Sequence, residues 1–486
     1  MMQKLIRSPH AWVVLVMVLA TSIFALRLSG PADLEGYAQH RNVGYVMDMM
    51  WQGNWLAQHD IQGRILSKPP LHTWTMAPFA AVFGVDRLAM TIPSYLAVLA
   101  LALLVFQVGR QRFGLLAGGL AAVAVIMAPT MSKHIALVRS DALFSLAVAV
   151  AAFAAYRAWE TGRGWTLFWV ASGFATLTKG PLGLLIAASG LLAYFWERRG
   201  NPAALKPRGR QLPGVILFVV ISTSWFVAAW WQQGYDLIDK MIFDELLGQA
   251  TGARKDSIPG ENLPKPTAYL LLRFLPFSLF FFYALWQVFK RPAADAGERR
   301  FERFLATWVL SGLLIFSLAA HFRPDLLLPL WAACALLAGR EMARTAARIG
   351  EARFMRIGAA VCVVLLGSVF LTYHTVFGKR AERSEQTGAV EAAALALSAT
   401  DIDAAGLHHV GTPVTFQMHL GTFRPWLSRE AFREVAATEV VPFYLAVDRE
   451  PAWLEEELAA FVVKRVFRWP EDEADRRIVE VLRISR

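Results

Sequence analysis

What most limits the folding of this chain is a series of apolar runs, each long enough or nearly long enough to cross a bilayer. A hydrocarbon core about 30 Å thick takes roughly 20 apolar helical residues. Runs at residues 10–29, 88–109, 113–129, 141–158, 164–178, 181–197, 213–232, 267–289, 304–320, 325–339 and 355–376 approach that length. Lipid offers no hydrogen bonds, so backbone groups must be satisfied within each segment, and such runs read as helices. Composition agrees. Of 486 residues, 56% are hydrophobic and 18% charged, and the mean hydropathy is +0.40, too little polar surface to cover soluble domains. The expected fold is a polytopic α-helical membrane protein with about eleven transmembrane helices. The segment 70–84 is apolar but short and preceded by Pro69 and Pro70. It is expected as an interfacial or re-entrant helix, and a true crossing there would invert the sidedness of everything downstream.

A net charge of +11 could suggest nucleic acid. Here the Lys and Arg residues cluster in short loops between apolar runs, which is a topology signal instead. Arg198, Arg199, Lys206, Arg208 and Arg210 crowd one loop, Lys290, Arg291, Arg299, Arg300 and Arg303 a second, and Arg340, Arg344, Arg348, Arg353 and Arg356 a third. These loops, with 110–112 and 160–164, are expected in the cytoplasm together with the N-terminus. The first run follows Lys4 and Arg7, as a cleaved signal peptide would, but no A-x-A-like site ends it, so it is read as an uncleaved span.

The opposite side then receives 30–87, 130–140, 233–266 and everything after about 377. From Gly378 onward the sequence is more polar, with short alternating runs at 443–447 and 478–482 and helix-like stretches at 390–399, 430–438 and 452–461. The expected organisation is a membrane domain over 1–376, with interfacial helices in the 30–87 loop and a second outer loop at 233–266. A small α/β domain follows over 377–486. Cys334 and Cys362 lie inside apolar runs and read as buried thiols, not as disulfide or metal ligands.

Several polar residues stand out on the outer side. Asp33 and Glu35 follow the first span closely. Partial desolvation there raises a carboxylate toward general-base range, while Asp33 would equally serve as a helix N-cap, and the residues alone leave both readings open. Asp141 opens a span within Arg139-Ser140-Asp141, where capping and function again compete. Lys68, Lys179 and Arg323 are cations where the charge rule expects few. Lys179 would suit a helix C-terminus, and Arg323, in His321-Phe322-Arg323-Pro324, could grip a phosphate with its planar fork. One shared anionic ligand at the outer face would account for all three. With carboxylates beside it, such a site suggests group transfer from a phosphate leaving group. No P-loop, G-x-S-x-G or H-E-x-x-H motif competes.

In order along the chain these residues resemble the GT-C superfamily of membrane glycosyltransferases, in the branch of the protein O-mannosyltransferases and the lipid A aminoarabinose transferase. The family's D-E-x-x-Y-A step is matched by Asp33-Leu34-Glu35-Gly36-Tyr37-Ala38, with Glu35 displaced by one. Its G-x-W and E-K-P-P appear as Gly53-Asn54-Trp55 and Ser67-Lys68-Pro69-Pro70, its second acid as Asp141, and its T-K-G turn as Thr178-Lys179-Gly180. The late basic motif is Arg323-Pro324-Asp325-Leu326-Leu327-Leu328-Pro329, without the usual Tyr, and Glu245 resembles a family Glu.

The resemblance implies an inverting transfer of a monosaccharide from a polyprenyl-phosphate donor to an acceptor hydroxyl. Asp33, helped by Glu35, would be the base, with Asp141 as the other acid. Lys68, Arg323 and Lys179 would hold the donor phosphate, and Tyr37, Arg139, Glu245 and His321 would contact substrate. Lipid A, another surface glycan and a protein Ser or Thr all remain open as acceptors, as does a divalent cation among the carboxylates. The setting implied is the bacterial inner membrane, with the site and C-terminal domain periplasmic. The expected partners are membrane lipids, the donor and a lipid or glycan acceptor, with no nucleic acid and a monomeric chain. A transporter or flippase of a lipid-linked glycan is the alternative, although the sequence has neither an internal repeat nor an intramembrane acid relay.

Overall fold

The computed structural model describes residues 7–30, 34, 36–247, 262–319, 322–376, 382–439 and 442–486. All eleven apolar runs fall on helices. Seven helical stretches among the described residues are long and apolar enough to cross a membrane: Pro9–Leu28, Arg87–Phe113, Asp141–Thr161, Leu212–Gln233, Ala296–Leu318, Pro324–Ile349 and Glu351–His374. The other runs lie on shorter pieces. These are Leu115–Met127, Trp165–Lys179, the succession Leu182–Ser189, Gly190–Leu192 and Ala193–Gly200, and the pair Lys265–Arg273 and Phe277–Lys290. The run at 267–289 was expected as one span. It is broken before Pro276, which has no backbone N–H to give. Helix also extends past several apolar runs into segments read as loops, and Trp331–Ile349 ends only at Gly350 (φ +91°), a conformation open to glycine. The Leu71–Phe83 helix has 13 residues. At 1.5 Å per residue that is about 20 Å, short of a bilayer core.

The chain divides into two compact units. The first comprises Met1–Arg27, Ser67–His72 and Thr91–Phe370. Its centre is the Pro324–Ile349 stretch, 89% buried within the protein, whereas Leu212–Gln233 and Glu351–His374 are buried only to 17% and 11%. Those last two are as apolar as the rest, and lipid is the partner their exposed side chains call for. Around the centre, Trp331–Ile349 packs on Leu115–Met127 through small residues. A Cβ added to Gly339 would lie 2.5 Å from the Ala117 carbonyl oxygen, so the two backbones meet only because glycine is there.

One end of this unit is laced by ion pairs. Arg112 binds Glu160, Arg303 binds Glu197 (2.6 Å), Arg340 binds Glu302 and Arg344 binds Glu298 (3.3 Å). Every partner belongs to, or borders, a segment that the charge rule assigned to one common side.

The second unit comprises Leu28–Leu66, Thr73–Met90 and Leu371–Arg486. It contains a four-stranded sheet of β1 (His408–Val410), β2 (Phe443–Val447), β3 (Val462–Trp469) and β4 (Val479–Ser485), in the order β1-β2-β4-β3. The β1–β2 pair is parallel and the other two are antiparallel. Alternation along β2 and β4 supplies two cores. Ala446, Val479 and Val481 join Val390, Leu397 and Phe416 on one face, while Leu445, Val447, Leu482 and Ile484 join Phe432 and Leu454 on the other. The same unit contains the helix Tyr37–Gln52 and a tight turn in which Asp60 binds Arg64 (2.8 Å) and Arg41 (3.5 Å).

Candidate active site

Four separate segments of the first unit bring their polar ends together. Lys68 comes from the Ser67–His72 stretch. Asp141 is the first residue of the Asp141–Thr161 helix, where Ser140 occupies the N-cap position without a side-chain capping bond. Lys179 ends the Trp165–Lys179 helix, which stops because Gly180 takes φ +93°. Arg323 precedes the 3₁₀ turn Pro324–Leu330, whose second residue is Asp325.

Arg139 is the clamp. Its Nε donates to Asp141 Oδ2 at 2.9 Å and its Nη1 to Asp325 Oδ2 at 2.9 Å. Lys179 binds the other oxygen of Asp141. His134 Nε2 lies 3.8 Å from Asp141 and 3.5 Å from Asp325, while its Nδ1 pairs with the Thr130 carbonyl at 2.8 Å. Burial holds the His134 imidazole below its ordinary range and brings that of His72 down to about 3, so both are neutral near pH 7. Burial alone would depress the Arg139 guanidinium, but Asp141 and Asp325 raise it, so it stays charged. Burial and then the neighbouring Lys179 bring the Lys68 ammonium down to about 7, with Arg323 and Arg139 adding to the shift.

The charge balance decides what such a place can bind. Lys68, Arg139, Lys179 and Arg323 set four cations against the two carboxylates Asp141 and Asp325. Asp141 is 2% exposed and already shared by two cations, which makes it the organiser of both. Arg323 has a buried Nε with no hydrogen-bond partner among the described residues. A buried donor left unpaired is costly, and an anion there would satisfy it. No cluster of three or more His, Cys, Asp or Glu among the described residues is arranged to hold a metal ion.

Of the residues singled out in the sequence, Lys68, Arg139, Asp141, Lys179 and Arg323 come together. Tyr37 begins the Tyr37–Gln52 helix, and Glu245 is half-buried in the Asp239–Leu247 segment. Asp33, Glu35 and His321 lie outside the described residues. Sequence reasoning passed over His134 and gave Asp325 no role. Both lie in turns expected on the outer side and already marked by unexpected charge, and that shared location was the available signal.

The site is therefore a cluster of cations and two carboxylates at the ends of helices, several of them long and apolar enough to cross a membrane. The sequence model described as dolichyl-phosphate-mannose-protein mannosyltransferase matches residues 67–226. An undecaprenyl phosphate-alpha-4-amino-4-deoxy-L-arabinose arabinosyl transferase of Erwinia tasmaniensis is 24% identical over 74% of this chain and 67% of its own length. A similarly named protein of Pseudomonas fluorescens is 27% identical over 65% of this chain and 55% of its own. The chain thus spans between about half and two thirds of these relatives.

Among solved structures, ArnT from Cupriavidus metallidurans bound to undecaprenyl phosphate superposes with a TM-score of 0.74 at 18% identity, covering 98% of both chains. The apo oligosaccharyltransferase of Archaeoglobus fulgidus reaches 0.53 at 10% identity, covering 91% of this chain and 70% of that one. The chain thus has the fold of these solved structures, and its sequence is similar to the mannosyltransferase model over residues 67–226 and to the arabinosyl transferases over a longer stretch.

Proposed function

We propose that the protein transfers a monosaccharide from a polyprenyl-phosphate donor to an acceptor hydroxyl at the periplasmic face of the bacterial inner membrane. The names of its relatives favour 4-amino-4-deoxy-L-arabinose as the sugar, and the acceptor in this reading is lipid A or another cell-surface glycan. The observation that carries this reading is the surplus of half-buried cations around Lys68 and Arg323, which suits an anionic group such as a phosphate.

Asp33, with Glu35 nearby in sequence, takes the proton from the acceptor hydroxyl. The acceptor oxygen bonds to the anomeric carbon as the bond from that carbon to the phosphate oxygen breaks, inverting the centre and leaving polyprenyl phosphate. Lys68 and Arg323 stabilise the negative charge that gathers on the departing phosphate. Asp141 and Asp325 keep Arg139 and Lys179 fixed beside them, so the cations need no rearrangement as charge develops.

The test is transfer of labelled sugar by the purified protein, without a membrane gradient, from a polyprenyl-phosphate donor. Asp33→Asn is expected to abolish transfer, and Arg323→Ala to weaken use of the donor. Full activity in the first variant would remove the base assignment. Unchanged donor dependence in the second would remove the phosphate role.

A further inference from the structure

The second unit has a cleft that the transfer chemistry does not use. Its volume is about 860 Å³, within the range of small-molecule sites and large enough for more than one sugar ring. Half-buried Trp51 gives it aromatic surface, Phe423 lies buried in the wall, and Asn54, His59, Thr422 and Arg424 give it polar groups.

Both walls are fixed from behind. On one side Asp48, 2% exposed, accepts from Asn54 Nδ2 (2.8 Å) and from the His59 backbone N–H (2.6 Å), with the His59 ring 3.4 Å away. On the other, fully buried Gln417 accepts from the Arg424 N–H and donates to the Arg424 carbonyl, both at 2.9 Å. Gln52 Nε2, donating to the Phe423 carbonyl at 3.0 Å, ties the walls together. Two groups in this rigid frame lack partners. Thr422 Oγ1 is buried without a hydrogen bond, and no hydrogen bond or ion pair holds the Arg424 guanidinium among the described residues.

Aromatic surface beside an amide, an imidazole and a hydroxyl is what a sugar ring needs, with its C–H face on the Trp51 indole and its hydroxyls on the polar groups. A free guanidinium adds a preference for a planar or tetrahedral anion. We infer that this cleft binds a pyranose bearing a carboxylate or phosphate, as part of the acceptor glycan. The acceptor assignment rests on the transferase reading above, whereas binding of the acidic sugar does not.

The experiment is saturation-transfer NMR and titration on the full chain in detergent. The probes are methyl glucoside, glucuronic acid, glucose 1-phosphate and inorganic phosphate. The acidic sugars are expected to bind about tenfold more tightly than methyl glucoside, and Trp51→Ala to weaken every sugar by about tenfold or more. Arg424→Gln is expected to bring the acidic sugars down to the level of methyl glucoside, and Trp51→Phe to retain binding. Arg323→Ala, in the transfer site, is expected to leave glucuronic acid binding unchanged. Comparing glucuronic acid with glucose 1-phosphate tells a carboxylate site from a phosphate site.

The inference is overturned if Arg424→Gln or Trp51→Ala binds the acidic sugars as the parent does, or if Arg323→Ala abolishes their binding. It is also overturned if inorganic phosphate displaces them as well as a sugar phosphate does, or if no saturable binding appears. Sugar transfer that survives loss of binding at the cleft would sink the acceptor assignment alone. Cleft binding without any transfer would sink the transferase reading alone.

Discussion

Replacing Asp141 by Asn would leave Lys179 and Arg139 crowded together without the carboxylate that joins them. Removing one partner of a buried ion pair costs about 3–5 kcal/mol. Asp141→Asn is therefore expected to lower the thermal midpoint in detergent clearly, whereas Arg323→Ala, which breaks no ion pair among the described residues, is expected to leave the midpoint nearly unchanged while weakening phosphate binding. Equal midpoints for the two variants would show that Asp141 is not the organiser described here. Lys68 gives a second outcome at this scale. Its ammonium titrates near pH 7 because burial and Lys179 disfavour the charged form. The cation is present below that pH and is lost above it, so affinity for polyprenyl phosphate should fall between about pH 6 and 8.5. Lys68→Arg, which stays charged, should flatten the profile, and a parent protein with no pH dependence would refute the assignment. These residues were legible because charge on the wrong side of a membrane protein is conspicuous. The clamp itself was not, because the roles of Arg139, His134 and Asp325 arise only when distant turns meet.

At the scale of elements, the Gly339 contact is the sharpest constraint on helix packing. A methyl group there meets the Ala117 carbonyl and the Ala121 side chain at 2.5 and 2.7 Å, neither of which can swing away cheaply. Gly339→Ala is expected to destabilise the first unit by about 1–3 kcal/mol, read as a lower thermal midpoint. Gly358, with nothing within 4 Å of an added Cβ, should accept Ala without loss. Apolar length alone located every helix on which the core is built. It could not locate the break before Pro276 or the amphipathic extension of Trp331–Ile349, because hydropathy records what faces lipid and not where hydrogen bonding stops. In the α/β part, β2 was readable as an alternating run. Strand β3 went unnamed, since its exposed edge carries Lys464, Arg465 and Arg468 among the valines.

Across the whole molecule, sidedness depends on the short helix Leu71–Phe83. If it does not cross, single cysteines placed at positions 67 and 84, in a chain freed of Cys334 and Cys362, should both react with an impermeant reagent added to the periplasmic side. A cysteine at Glu298 should react only after permeabilisation. Labelling of 67 and 84 from opposite sides would invert the topology after residue 84. The ion pairs that join 112 to 160, 197 to 303 and 298 to 344 speak for one shared side at the far end, as the distribution of Lys and Arg anticipated.

The most direct test of the central claim is mass spectrometry of lipid A and surface glycans from cells with and without the gene. The account predicts that one glycan species loses the mass of a single sugar when the gene is absent, and regains it with the parent gene but not with the Asp33→Asn form. Identical glycan profiles in all three strains, with the donor lipid present, would contradict it.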